Sequence, residues 1–328
     1  MRFIKTHLVL FLVFTTQVVV ANSSFKTALE SYKSKNYSQC TKSLEKRYET
    51  LKEKELLLLF YCYKKIEGKT KDQIRVLEKI ESLDKPTEKT IFLKAQTHYF
   101  DKNYDEAIKE LRKGTNLFPK SKHLHESLLK IFMLTENSYE SRMILQSMKK
   151  QFGSTPRYLS LLCKYYYLDG YFDSAISTCR EAIKSKLSHA DNYVYLALAQ
   201  IESGEETKGA EQLVAAATNF KKSALAQQML STYYLKKENI PSAYKYAKKS
   251  YKLSPDNIDV LITFAQASFA NEEYQESLDV FNKACKMSRK AIDPFQVAAG
   301  KIKQKNNFEF TQKFSQAAHQ CRIMKRED

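Results

Sequence analysis

The sequence predicts an all-α protein, an α-solenoid coiled as a right-handed superhelix of about nine 34-residue helix-turn-helix repeats after a signal peptide. Two observations carry that prediction. Three series of residues recur at an interval of 34, and nearly all their members are small. A charge-free apolar run from Leu8 to Ala21 follows Arg2 and Lys5 at the amino terminus.

The first series reads Ala95, Leu129, Cys163, Ala197, Ser231, Ala265, Ala299. Twelve residues later a second reads Ala107, Ser141, Ala175, Gly209, Ala243, Ser277, Thr311, and seven further on a third reads Gly114, Met148, Ala182, Ala216, Ser250, Ala284, Ala318. Small side chains at fixed offsets mark where the two helices of each repeat, and successive repeats, approach closely. Tyr104, Ala107, Leu111, Gly114 and Pro119 make up a second helix with its closing proline, and Pro255 recurs in the phase of Pro119.

On those residues the chain resembles the tetratricopeptide repeat family. It departs from the family in having no tryptophan, in Gln73 at a small-residue place, and in Gly153, Leu187, Lys221 and Arg289 where the closing proline is expected. Ala28, Tyr37 and Cys40 extend the phase backwards, with a one-residue slip near position 54. The expected organisation is a signal peptide over 1-21, a repeat array over 22-325 and a short tail over 326-328. The units fall near 21-54, 54-87, 88-121, 122-155, 156-189, 190-223, 224-257, 258-291 and 292-325. Aromatics at Tyr104, Phe172, Tyr274 and Phe308 open second helices and are expected to pack inside.

The apolar leader is short for a membrane span, and Val19 and Ala21 supply the small residues a signal peptidase accepts. Export to a periplasm, to a membrane surface or out of the cell is the expectation. Without the leader the chain carries 52 Lys and Arg against 37 Asp and Glu, a formal +15. Residues 22-121 hold 22 cations and 15 anions, residues 122-220 hold 11 of each, and residues 221-328 hold 19 and 11, so both ends are basic. The densest stretch, Lys245, Lys248, Lys249 and Lys252, is spaced along one helix face.

Six cysteines are an even number in a chain that carries an export signal, so disulfides are permitted. Cys163 and Cys179, on facing helices of one unit, are the first candidate pair. Cys40 with Cys62 and Cys285 with Cys321 follow from neighbouring units, and six buried free thiols are the alternative.

No motif supports catalysis, a metal or a cofactor, and the chain is expected not to be an enzyme. Gly68, Lys69 and Thr70 end like a phosphate-binding loop, but Tyr63 stands where its first glycine belongs. His123 and His125 have a spacing that suits neither one helix face nor a zinc motif. What a stack of this family offers is a concave face lined by first helices, able to hold an extended or helical peptide. Projected onto it are Phe92, Gln96, Tyr99, Lys130, Ser160, Lys164, Tyr167, Val194, Leu198, Ile201, Gln228, Thr232, Ile262, Gln266 and Phe269. The family's lysine and asparagine clamp for a peptide carboxylate is absent, since Phe92 and Gln96, Glu126 and Lys130, and Ser160 and Lys164 stand in its places.

The expected function is therefore a non-enzymatic scaffold of the cell envelope that binds peptide or protein partners in the groove. The alternative is an electrostatic binder of anionic envelope polymers or lipid head groups through its basic ends. Export argues against nucleic acid as the ligand.

Overall fold

A computed structural model describes residues 24-185, 189-305 and 307-324; the leader, Asn22, Leu187 and the tail lie outside them. Among the described residues there are eighteen α-helices and no strand. They are α1 (24-33), α2 (Tyr37–Glu45), α3 (Glu53–Tyr63), α4 (Thr70–Leu83), α5 (Glu88–Phe100), α6 (Tyr104–Leu117), α7 (Lys122–Leu134), α8 (Ser138–Phe152), α9 (Pro156–Leu168), α10 (Phe172–Lys184), α11 (Ala190–Glu202), α12 (Glu206–Asn219), α13 (Ala224–Lys236), α14 (Ile240–Leu253), α15 (Ile258–Ala270), α16 (Tyr274–Met287), α17 (Ile292–Gln304) and α18 (Phe308–Met324). Odd-numbered helices are the first, and even-numbered helices the second, of successive pairs. The chain divides into two compact units, Met1–Phe152 and Gly153–Asp328.

Local chemistry sets each helix boundary. Five first helices start at caps whose side-chain oxygen accepts from a backbone N–H of the first turn: Thr87, Ser121, Thr155, Ser223 and Asn257. Between the two helices of a pair one residue adopts positive φ: Lys102, Glu136, Gly170, Gly204, Glu238 and Glu272, again 34 apart. The next residue caps the second helix, and Asn103 and Asn239 do so through their side chains. Gly170 and Gly204 adopt the left-handed turn without strain, whereas lysine or glutamate there carries a cost of about 1–2 kcal/mol.

The small-residue series lie where the helices touch. Most members are buried, and three serines do more than fill space. Ser231 donates to the carbonyl of Ala243 at 2.8 Å, Ser277 to that of Ala265 at 2.8 Å, and Ser250 to that of Ala224 at 2.8 Å, so each ties its helix to a neighbouring one. At Gly209 the helices approach closely: a Cβ there would stand 2.6 Å from the Ala197 carbonyl oxygen. Tyr104, Phe172 and Tyr274 turn onto Tyr99, Tyr167 and Phe269 respectively, with ring centroids 5.8, 6.2 and 5.5 Å apart.

Phe308 departs from this expectation. It is 87 % exposed; the position five residues earlier, where the other pairs supply Tyr99, Tyr167 and Phe269, is Lys303, which offers no ring. All six cysteines are buried and joined in pairs: Cys40 with Cys62, Cys163 with Cys179, and Cys285 with Cys321, their Cα atoms 6.1, 4.9 and 5.6 Å apart. The first links α2 to α3, the second links the two helices of one pair, and the third links α16 to α18. In unit 1, Lys94 is buried between Glu81 at 3.3 Å and Glu110 at 3.2 Å, which ties α5 to α4 and α6.

Candidate functional site

In unit 2 the first helices lie side by side: α9 packs on α11, α11 on α13, α13 on α15 and α15 on α17. Among the second helices, close packing of neighbours is found for α16 and α18. A layer whose members are closer together lies on the inside of a bend, which makes the first-helix face from α9 to α15 the concave one. Leu198, Ile201, Thr232 and Ile262 are half-buried along it and Gln266 is exposed. Leu198 and Ile262 also pack on the core beneath, so the face is mainly aliphatic.

Three predicted residues of this unit do not reach the surface. Val194 is fully buried, packed with Leu213, Ala216 and Leu230. Phe269 meets the rings of Tyr274 and Phe314 at 5.5 and 5.6 Å and belongs to the core. Gln228 is buried and donates from Nε2 to the Thr263 hydroxyl at 3.2 Å, which joins α13 to α15. The physical reason is geometric: each residue turns a helix by about 100°, and a first helix contacts neighbours on three sides, so its free stripe is narrow. Tyr167 is half-buried between Phe172 and Tyr195, and burial raises its phenol pKa. Lys164 extends over the ring of Tyr195 at 5.9 Å, and the Ser160 hydroxyl turns back to the Pro156 carbonyl at 3.1 Å.

In unit 1 the predicted residues form a connected surface across three first helices. The Lys64 ammonium, just beyond α3, donates to Oε1 of Gln96 on α5. It also lies over the rings of Phe60 at 6.0 Å and Phe100 at 5.9 Å. Phe100 meets Tyr99 edge-on at 5.6 Å, and the Lys130 ammonium of α7 lies over Tyr99 at 5.1 Å. Phe92 packs on the ring of His123 at 4.1 Å, so α5 and α7 adjoin on this face. Burial, with Lys65 nearby, lowers the pKa of Lys64. Lys64 and Phe100 were not among the residues projected from the sequence; Lys64 stands 32 residues before Gln96, at the C-cap just beyond α3, and so is not its repeat equivalent.

The basic stretch of α14 is divided. Lys248 is half-buried, donates to the Tyr244 hydroxyl at 2.8 Å and pairs with Glu276 at 3.4 Å. Lys245, Lys249 and Lys252 are exposed, and Lys245 and Lys249 lie over Tyr246 at 5.8 and 4.8 Å.

The residues weighed for chemistry have structural employment. Gly68 takes positive φ in a helix-to-helix turn, Lys69 pairs with Asp72 at 3.2 Å, and Thr70 opens α4. The Nδ1 of His125 meets the Ser121 carbonyl at 2.8 Å, and its ring packs on Phe152. His125 also lines a cleft of about 400 Å³ with Arg112, Asn116, Ile144 and Gln151 in unit 1. Among the described residues no group of three His, Cys, Asp or Glu could hold a metal ion, and no helix is long and apolar enough to cross a membrane.

Comparison with known proteins agrees with this architecture. The family described as anaphase-promoting complex, cyclosome, subunit 3 matches residues 205–284. Among solved structures, the APC/C hetero-tetramer Cut9–Hcn1 is similar at 14 % identity with a TM-score of 0.57; the match covers 92 % of this chain. The chain spans 66 % of that chain's length, just under two thirds. A thermophilic TPR protein of Thermus thermophilus is similar over 55 % of this chain and 98 % of its own, at 16 % identity and a TM-score of 0.48. MamA MSR-1 C2 is similar over 52 % of this chain and 98 % of its own, at 15 % identity and a TM-score of 0.41. No curated protein sequence matches the chain. The fold is that of the tetratricopeptide-repeat proteins.

Proposed function

We propose that the chain is a non-enzymatic scaffold of the cell envelope that captures protein or peptide partners on the faces formed by its first helices. The observation that carries this is the surface of unit 1, where Gln96, Tyr99 and Lys130 join Lys64 and Phe100 across α3, α5 and α7. Aromatic rings beside cations supply buried apolar area and orientation together, which is how a few residues dominate a protein interface. Phe100 is 67 % exposed, an aromatic surface that a partner would cover. Export is supported by the leader and by three intrachain disulfides that use every cysteine, a pattern of oxidising compartments.

The test is cross-linking of the tagged full-length chain in its own cells, followed by envelope isolation, a high-salt wash and mass spectrometry. A defined protein set that survives salt, and is lost when Gln96 and Tyr99 become alanine, supports the proposal. An unchanged set with those alanines would move the interface elsewhere.

A second reading is favoured by one observation. Among the described residues, Lys245, Lys249 and Lys252 have no carboxylate within ion-pair distance, so α14 presents uncompensated charge suited to an anionic polymer or lipid head groups. Binding of that kind falls steeply with salt and is lost when the three lysines become glutamine.

A further inference from the structure

We infer that the first-helix face of unit 1 receives an acidic peptide segment, its carboxylates meeting Lys64 and Lys130 while its apolar side chains lie on Tyr99 and Phe100. The inference rests on the peptide-binding reading proposed above and adds the chemistry of the ligand. Four groups form one line: Lys64 over Phe100 at 5.9 Å, Phe100 against Tyr99 at 5.6 Å, and Tyr99 beneath Lys130 at 5.1 Å. Ring faces and the Gln96 amide oxygen hold the ammonium groups by partial charge alone. Among the described residues no carboxylate lies within ion-pair distance of Lys64 or Lys130, although both belong to a chain rich in surface pairs.

Most unpaired lysines on a protein are free in water and ask for nothing. Lys64 differs, because it is half-buried between two rings and an amide, and the same burial lowers its pKa. A full negative charge arriving from a ligand restores what desolvation removed, and in a partly dry setting that attraction is stronger than at an open surface. The carboxylate that follows Phe100 in the chain, Asp101, accepts from the Thr70 hydroxyl at 3.0 Å. The face therefore offers two cations and two accessible rings, with Phe92 and His123 extending the aromatic surface along α5 and α7.

That mixture favours a peptide over a polyanion. A polymer of repeated charges gains from rows of lysine and nothing from exposed phenylalanine, whereas a peptide supplies carboxylates and apolar side chains within a few residues.

The experiment is selection from a phage-displayed library of short random peptides on the immobilised full chain, followed by fluorescence anisotropy with the selected peptides made synthetically. The expected result is enrichment of Asp and Glu beside apolar residues, with binding about tenfold or more weaker for the Lys64→Gln/Lys130→Gln chain. The same peptides with Asn and Gln in place of Asp and Glu lose a comparable factor, while Lys64→Arg/Lys130→Arg retains binding. Lys130→Gln alone, at an exposed position, keeps the test valid if the double variant folds poorly. Neutral peptides that bind both chains equally but are lost with Tyr99→Ala overturn the acidic preference and leave the face as a peptide site. Selected peptides indifferent to Tyr99→Ala, or none above background, overturn both readings. Dextran sulfate that binds at this face more tightly than any selected peptide, and is released by the lysine substitutions, overturns the inference in favour of a polymer.

Discussion

Gly209 and Gly300 should respond to the same substitution with opposite signs. Both lie inside helices, α12 and α17, and an exposed helical Gly→Ala gains about 0.5–1 kcal/mol because the unfolded chain loses freedom and the helix is better formed. At Gly300 nothing lies within 4 Å of the added Cβ, so that gain stands alone. At Gly209 the Cβ meets the Ala197 carbonyl oxygen at 2.6 Å, Ile201 Cγ1 at 2.6 Å and the Ile201 nitrogen at 2.9 Å. Two of the three are backbone atoms, so a rotamer change cannot relieve the clash and α12 must move off α11. Overpacking of this kind costs about 1–3 kcal/mol, and rigid neighbours place it at the upper end. After the helical gain is subtracted, Gly209→Ala loses about 2 kcal/mol. The two variants should then differ by about 2.5–3 kcal/mol, roughly a hundredfold in the folding equilibrium. Urea titrations followed by circular dichroism measure the difference, and hydrogen exchange of α11 and α12 shows whether the loss is local. A Gly209→Ala chain as stable as Gly300→Ala would refute the claim that small residues set the spacing of the paired helices.

Other expectations follow from single observations. Replacing Lys94 with methionine leaves Glu81 and Glu110 buried without their cation, so stability should fall by about 3–5 kcal/mol in a urea titration, and the added changes Glu81→Gln and Glu110→Gln should recover part of it. Glu238→Gly should stabilise by about 0.5–1 kcal/mol, because glycine releases the left-handed strain at φ 56° while adding unfolded-state freedom. Cys163→Ala/Cys179→Ala opens a loop with a sequence separation of 16 and should cost about 3 kcal/mol, with no further loss on adding reductant for that pair. Burial raises the Tyr195 phenol well above its usual value of 10.0, so above that pH the unfolded state releases a proton that the folded state keeps. Stability must fall as pH rises through this range, by up to about 1.4 kcal/mol per unit from this group, and Tyr195→Phe should flatten the slope in urea titrations at successive alkaline pH values.

Residues with a repeated, size-limited job were legible in the sequence. Ala107, Ala175, Gly209, Ala243 and Ser277 share one buried offset because helix contact tolerates nothing larger there. The turns were less legible: Lys102, Glu136, Glu238 and Glu272 adopt left-handed backbone although their side chains carry no such signature, and only the interval of 34 from Gly170 and Gly204 reveals them. Of the proposed interaction surface, Gln96, Tyr99 and Lys130 could be projected from the phase. Lys64 could not, since it caps the end of α3 outside the stripe that the phase projects, nor could Phe100, which sits in the last turn of α5. Val194, Gln228 and Phe269 were projected outward and lie inward, because the period fixes which residues are equivalent before it fixes which way a stripe faces. The Lys94 pairs join three helices across 13 and 16 residues, and charge alone does not say which carboxylates a lysine finds.

Whether partners meet the first-helix face can be read from a photoreactive amino acid placed at Tyr99. The same group at Tyr139, 63 % exposed on the second helix α8, is the comparison. After irradiation in cells, a discrete protein adduct is expected from position 99 and none from position 139. Adducts from position 139 with none from position 99 would contradict that expectation.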